Sequence, residues 1–246
     1  MLRWHPGRSV RLDIHYAIGD VHGRDDLLER LHETIRAQHL WRHAGKPGVI
    51  VYVGDYIDRG GRSAEVIDRV MRGLPGFTSV YLKGNHEEMM LNCLDTDDHD
   101  VWSTWFGNGG LQTMESFDLD YSDIGNRLGL ARALGPERLQ WFDKLELTYQ
   151  AGGYLFVHAG IVPGRPLAEQ KEKDLLWIRE RFLSSDEDHG FVVVHGHTPS
   201  QDPELKRNRI NVDTGATFYG QLTAVVLGEP EGPRFVVIEG NPGAGP

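Results

Sequence analysis

Leu12-Asp13-Ile14-His15-Tyr16-Ala17-Ile18 runs straight into Gly19-Asp20-Val21-His22-Gly23, and that junction decides how the chain folds. The apolar stretch reads as a buried strand, and the glycine-bounded polar cluster as the loop where the chain leaves it. Beyond the loop, Leu27, Leu28, Leu31 and Ile35 recur at helical spacing and place a helix over about 25–38. The unit then repeats. A strand at 49–53 precedes Gly54-Asp55-Tyr56-Ile57-Asp58-Arg59-Gly60 and a helix bearing Val66, Ile67 and Val70, which Ser63 is expected to cap. A strand at 77–82 precedes Gly84-Asn85-His86-Glu87 and a helix from about His86. Successive strand-to-helix units imply parallel pairing with right-handed crossovers, so the three loops emerge at one sheet edge. Ligand sites of open α/β sheets lie at that edge.

The second half is richer in strands, at 153–157, 191–194, 210–212, 222–227 and 235–239, joined by turns of Gly, Pro and Asn. Three of these strands lead into Val157-His158-Ala159-Gly160, His195-Gly196-His197-Thr198 and Asp213. A second sheet packed on the first brings both sets of loops to one edge. The expected fold class is therefore α/β with α+β character: two packed mixed β-sheets flanked by helices. One domain over 1–246 is expected, because clusters spanning Asp20 to His197 must converge. Segment 95–144 reads as an insertion over the site: an acidic loop, the aromatic run Trp102-Ser103-Thr104-Trp105-Phe106, and helices near 111–117 and 136–145. The stretch 240–246 reads as a flexible Gly/Pro-rich tail.

With 36 acidic against 26 basic residues, the chain carries a formal charge of −10. That balance argues against nucleic acid or an anionic membrane as partner. Segment 1–11 has no apolar core of a signal peptide, and no apolar run reaches membrane-spanning length. Cys93 is the sole cysteine, so an intrachain disulfide is excluded and a reducing, cytoplasmic location is expected. Cys93 also fails as a phosphate-cradling nucleophile, since the arginine such a loop needs six positions on is His99 here. A buried, inert thiol is expected.

Asp, Asn and His are the residues that hold a pair of divalent metals. Two such ions about 3.5–4 Å apart repel each other and require an anionic ligand between them; Asp55 is placed to be that bridge. Asp20 and His22 can point to one metal with Asp55, while Asn85, His158 and either His195 or His197 complete the other with Asp55 again. The pattern implies hydrolysis of a phosphate ester. His5, His15, His32, His39, His43, His99 and His189 have no partner pattern and read as ordinary surface or core residues. Asp213-Thr214-Gly215 matches the string of an aspartic protease, whose chemistry needs two such aspartates. A single copy leaves Asp213 as a support behind the ligands.

The Asp20-Val21-His22-Gly23, Gly54 to Gly60 and Gly84 to Glu87 motifs resemble the signature of the calcineurin-like metallophosphoesterases, specifically the PPP-type serine/threonine protein phosphatases. Asn108-Gly109-Gly110, Trp177-Ile178-Arg179-Glu180-Arg181, Gly196-His197-Thr198-Pro199 and Asp213-Thr214-Gly215-Ala216 are similar to the bacteriophage lambda phosphatase and its bacterial relatives. The resemblance covers most of 14–227. It implies the metallophosphoesterase four-layer sandwich and a metal set of Asp20, His22 and Asp55 on the first ion and Asp55, Asn85, His158 and His197 on the second. His197 is preferred to His195 because the family's ligand follows the glycine of Gly-His-Thr; His195 then stands behind the ligands. The family's further histidine, two positions on, is replaced by Pro199, which implies a shorter set on the first ion. Manganese is the expected metal, with iron, zinc and magnesium as alternatives.

The resemblance further implies attack of a metal-bridging hydroxide on phosphorus, in line with the leaving oxygen. Arg59 and Arg179 would grip the phosphoryl oxygens together with Asn85. His86 would protonate the leaving alkoxide, with Asp58 orienting it. The substrate expected is phosphoserine or phosphothreonine in a protein, with phosphotyrosine or a small phosphoester as further substrates. Two readings compete: symmetrical cleavage of a dinucleoside tetraphosphate, and an inactive metal- or phosphate-binding scaffold.

Overall fold

The protein is described by a computed structural model over residues 13–243. The readings of the 1–11 start, His5, Leu12 and the last residues of the tail lie outside it. In chain order the strands are β1 (Ile14–Ile18), β2 (Gly48–Tyr52), β3 (Phe77–Tyr81), β4 (Thr148–Ala151), β5 (Tyr154–Val157), β6 (Val192–His195), β7 (Glu204–Leu205), β8 (Arg209–Asn211), β9 (Gln221–Leu227) and β10 (Arg234–Glu239). The α-helices are α1 (Asp25–Arg42), α2 (Ser63–Arg72), α3 (Asn85–Asp95), α4 (His99–Gly107), α5 (Gly110–Ser116), α6 (Arg127–Phe142), α7 (Glu172–Trp177) and α8 (Glu180–Leu183).

The strands form two five-stranded mixed sheets, in the orders β10-β9-β1-β2-β3 and β4-β5-β6-β8-β7. β1, β2 and β3 are parallel, as are β5, β6 and β8. The alternation of side chains along a strand separates the layers. Ile14, Tyr16 and Ile18 face Leu27, Leu28, Leu31 and Ile35 of α1, whereas Ala17 joins Val51 and Val225 against Phe156, Val194 and Ile210 of the other sheet. The far face of that second sheet buries Leu155, Val157 and Val193 against Leu175 of α7 and Phe182 of α8. Helices, sheet, sheet, helices is the expected sandwich. Each fully buried Leu, Ile or Phe contributes about 1.5–3 kcal/mol, so the layers hold the site edge firmly.

Several local expectations are corrected. Ser63 does not cap α2: Arg62 takes the N-cap position, and the Ser63 hydroxyl instead accepts the backbone N–H of Asp58 at 3.1 Å. The helix expected at 136–145 is the second half of α6, which breaks at Gly135 (φ 73°, ψ 164°) before Pro136. Proline suits a first helical turn because its missing N–H is not needed there. The aromatic run lies in α4, whose N-cap Asp98 accepts from Asp100 N, so the acidic stretch is partly helical. The break between α7 and α8 puts Arg179 at φ −130°, ψ −104°. β4 and β7 are short and lie at sheet edges, which leaves them little hydrophobic pattern to show. The described part of the tail is tied down, with Gly240 N donating to Gly220 O and Gly243 N to Thr217 O. No helix among the described residues is long and apolar enough to cross a membrane.

Candidate metal centre

Six strand ends supply the site: Asp20 follows β1, Asp55 follows β2, Asn85 opens α3 after β3, His158 follows β5, His197 follows β6 and Asp213 follows β8. All six side chains are buried. Asp55 lies at the centre. One of its carboxylate oxygens is 3.5 Å from His22 Nε2 and 3.9 Å from His86 Nε2; the other is 3.5 Å from His158 Nε2. Two sets of donor atoms therefore meet at Asp55, one with His22 and His86, the other with His158 and His197.

The second set fits a cation. His158 Nδ1 donates to Val53 O at 3.0 Å, which leaves Nε2 as the lone-pair nitrogen. Burial pushes the ring's pKa down, so it stays neutral. Yet that nitrogen faces the carbonyl oxygen of Asn85 at 2.8 Å, and His197 Nδ1 lies 3.2 Å from the first and 2.8 Å from the second. Two lone pairs facing each other at that distance repel, and a cation between them removes the conflict. His197 Nε2 and Asp20 Oδ1 are buried without a hydrogen-bond partner, which is costly for polar atoms. Burial, followed by the charges of Asp213 and Asp55, lifts the Asp20 carboxyl well above the usual range, while Asp213 is pushed up to about 6. Crowded buried carboxylates of this kind are what bound cations relieve.

The first set differs from the expected one, since His86 rather than Asp20 joins His22 and Asp55. Asp20 uses Oδ2 to accept the backbone N–H of His197 at 2.9 Å. Its Oδ1 packs against Gly196, where an added Cβ would lie 2.0 Å from that oxygen. His22 Nδ1 donates to Ile57 O at 2.9 Å, so its Nε2 faces the site. There Arg59 acts as the local cation, donating through Nη1 to His22 Nε2 at 2.8 Å and through Nη2 to His86 Nε2 at 3.0 Å.

The other expected residues fall in three places. His86 Nδ1 meets the fully buried Asp58 carboxylate at 2.6 Å. Burial disfavours the charged ring, but Asp55 and Asp58 overcome it and raise its pKa. Arg179 sits exposed at the rim, with Nη1 3.4 Å from Thr198 Oγ1. His195 points away from the donor sets: its Nδ1 donates to Gly196 O at 3.0 Å, its ring abuts Phe182, and burial pushes it down to about 3. It braces the loop that carries His197.

Backbone strain collects at this site. Among the described residues, the non-glycine residues with positive φ are His22, Asp55, Asp58, Arg59, Asp118 and His197, all but Asp118 in the site. Left-handed backbone costs about 1–2 kcal/mol at a residue with a Cβ, and such strain persists where surrounding contacts over-determine it. Glu87 supplies some of these contacts. Its buried carboxylate accepts backbone N–H groups from Asp55, Tyr56 and Gly84, each at 2.9 Å. Its place three residues after Gly84, the capping-box position, was the available signal in the sequence. Trp105 and Thr113, which contact Asp58, gave none.

Comparison with known proteins places this arrangement in a family. Residues 16–228 match the model of the calcineurin-like phosphoesterases, and the chain belongs to that family. It is 30% identical over 222 residues to serine/threonine-protein phosphatase 2 of Escherichia coli, covering 85% of this chain and 90% of the relative. It is also 27% identical over 233 residues to the asymmetrical bis(5'-nucleosyl)-tetraphosphatase PrpE of Halalkalibacterium halodurans, covering 87% and 90%. Among solved structures, a candidate diadenosine tetraphosphatase superposes with a TM-score of 0.64 at 20% identity, over 95% of this chain and 96% of that one. A serine/threonine phosphatase from Saccharomyces cerevisiae gives 0.58 at 15% identity, over 95% and 82%. These two likenesses concern the fold. Family membership makes the chain a phosphoester hydrolase.

Proposed function

We propose that the chain hydrolyses phosphoserine and phosphothreonine in proteins, with phosphotyrosine and small phosphomonoesters as further substrates, and that it does so as a single domain with 95–144 inserted over the site. The observation that carries this reading is the pair of donor sets meeting at Asp55, with Arg59 and the His86–Asp58 pair beside them. Asp20, His22 and Asp55 would hold one divalent ion, and Asp55, Asn85, His158 and His197 the other. Asp20 is preferred to His86 because its Oδ1 is a buried orphan, whereas His86 is committed to Asp58 through Nδ1. Asp213, whose charge bears on Asp20, and His195, braced on Gly196, support the ligands from behind. When bound, two such ions, manganese to be tested first, supply Lewis acidity and a nucleophilic water.

The protein's own groups do the rest. The Arg59 fork, which here spans two ring nitrogens, is shaped to take two phosphoryl oxygens, joined by Asn85 and by Arg179 from the rim. Withdrawal of Arg59 toward the phosphate frees His86 Nε2 to carry a proton to the leaving oxygen. Asp58 keeps Nδ1–H and holds the charge of the imidazolium.

One observation favours a second substrate class. A cleft of ≈ 520 Å³ opens beside Arg59, lined also by Asn108, Gly109, Thr217 and Phe218. Phe218 is 53% exposed, with the Arg59 guanidinium 5.2 Å from its ring centre. An exposed ring there offers a face to a nucleobase, which suits a dinucleoside polyphosphate. The relative from H. halodurans is named for asymmetrical cleavage, so product analysis should distinguish two diphosphates from a mono- and a triphosphate. Incubation with manganese and either phosphopeptides or diadenosine tetraphosphate decides between the classes. Turnover of the nucleotide alone would overturn the phosphoprotein assignment, and a protein with no chelator-sensitive turnover of either is a scaffold.

A further inference from the structure

We infer that the α4–α5 hairpin is a positioning element of the active site, holding Asp58, and through it His86, by the Trp105 indole and the Thr113 hydroxyl; the inference rests on the proton-donor role proposed for His86. The Asp58 carboxylate is fully buried and accepts from three side chains. His86 Nδ1 donates at 2.6 Å, Thr113 Oγ1 at 2.6 Å, and Trp105 Nε1 at 3.1 and 3.0 Å to its two oxygens. Only the first belongs to the motif that also carries Asn85. The other two come from α4 and α5.

The hydroxyl's single proton fixes how this network is wired. Thr113 Oγ1 lies 2.8 Å from Asp58 N and 2.9 Å from Ser63 Oγ, as well as beside the carboxylate. The backbone N–H can only donate and the ionised carboxylate only accept. Thr113 therefore gives its proton to Asp58 and accepts from Asp58 N, while Ser63 donates to Thr113. Asp58 is gripped at both its main chain and its side chain by one threonine. The Trp105 ring is fully buried, and a buried indole N–H needs a partner; the one it finds is this carboxylate. A phenylalanine would fill the same apolar space without that contact.

The turn between the helices meets the other catalytic arm. Gly109 O accepts the backbone N–H of Arg59 at 3.1 Å. Gly109 has φ 101°, and a Cβ there would lie 2.7 Å from Arg59 N. Asp58 and Arg59 both have positive φ, so two of the motif's three strained non-glycine residues, the third being Asp55, are those the hairpin clasps.

The test compares Thr113→Val, Thr113→Ser, Trp105→Phe and His86→Asn on a series of phosphomonoesters running from nitrophenyl to alkyl leaving groups. Thr113→Val and Trp105→Phe are expected to lower kcat about tenfold on alkyl esters and only about twofold on nitrophenyl phosphate, since general acid catalysis matters most for poor leaving groups. Thr113→Ser should restore the alkyl activity. A loss equal across the series, or no rescue by serine, would overturn the inference. A second readout needs no turnover: the His86 Nδ1–H proton should give a downfield resonance in the chelator-treated wild type and in Thr113→Ser, and be exchange-broadened in Thr113→Val. An unchanged resonance in Thr113→Val would also overturn it. If the wild type hydrolyses none of these esters, or His86→Asn loses equally on all, the proposed function fails, and the resonance still decides whether the hairpin positions the pair.

Discussion

Glu87 accepts the backbone N–H of Asp55 at 2.9 Å, so the residue at the meeting point of both donor sets is held by a carboxylate that belongs to neither. The same carboxylate accepts from Tyr56 and Gly84. Glu87→Ala leaves these buried N–H groups unpaired, at about 1–3 kcal/mol each. Urea denaturation should register a loss of about 3 kcal/mol or more, accompanied by less bound metal per chain. A loss below about 1 kcal/mol would mean that the 54–57 turn holds itself.

Asp55→Asn should abolish metal pairing. The amide cannot offset the repulsion of two cations, so manganese per chain should fall from two to one or none, as read by elemental analysis of the desalted protein. A variant that still carries both ions would remove Asp55 from the bridging role.

His86→Asn should reduce turnover of phosphopeptides by about a hundredfold or more and that of nitrophenyl phosphate far less. A nitrophenolate departs without a proton; a serine alkoxide does not. Equal losses on the two substrates would speak against proton donation.

Phe218 separates the two substrate classes. If its exposed ring stacks a nucleobase, Phe218→Ala should raise KM for diadenosine tetraphosphate about tenfold, the loss of one stacking contact of about 1–3 kcal/mol, while leaving KM for a phosphopeptide within about twofold. Equal changes in the two KM values would make the ring a general wall of the cleft.

Glu229 gives a pH dependence far from the site. Burial works to raise its carboxyl pKa, but Arg234, His43 and Arg42 pull it below the ordinary 4.5. His43 Nε2 lies 2.9 Å from it and Arg234 Nε 3.1 Å. A carboxyl whose folded pKa is depressed stabilises above its unfolded value and loses that contribution as pH falls through the folded value. Stability should therefore hold down to about pH 4.5 as far as this group is concerned, and decline below. Glu229→Gln should be less stable at pH 7 by about 2 kcal/mol and show a shallower acid limb. An acid limb of unchanged steepness would place the proton uptake elsewhere.

The residues gathered around Asp55 were legible because Gly19-Asp20, Gly54-Asp55 and Gly84-Asn85 stand just after strands end, and a strand's end fixes which side of the sheet its loop reaches. The two-sheet sandwich followed from strand runs whose residues are buried on both faces, such as β2 and β5. What stayed hidden depends on distance along the chain. Thr113 reaches Asp58 across 55 positions and Trp105 across 47, and neither helix announces its target. Ser63 was legible as a helix start, but its hydroxyl accepts the backbone N–H of Asp58 and α2 begins without a side-chain cap. β4 escaped because its side chains are only half covered.

The left-handed backbone at His22, Asp55, Asp58, Arg59 and His197 sets a limit on how this protein can be made hardier. Glycine adopts that conformation freely, so a screen for heat resistance that tolerates loss of function should drift toward glycine at these five positions. Thermal robustness and hydrolytic capacity are thus opposed at the same peptide units, and gains compatible with both must come from elsewhere in the sandwich.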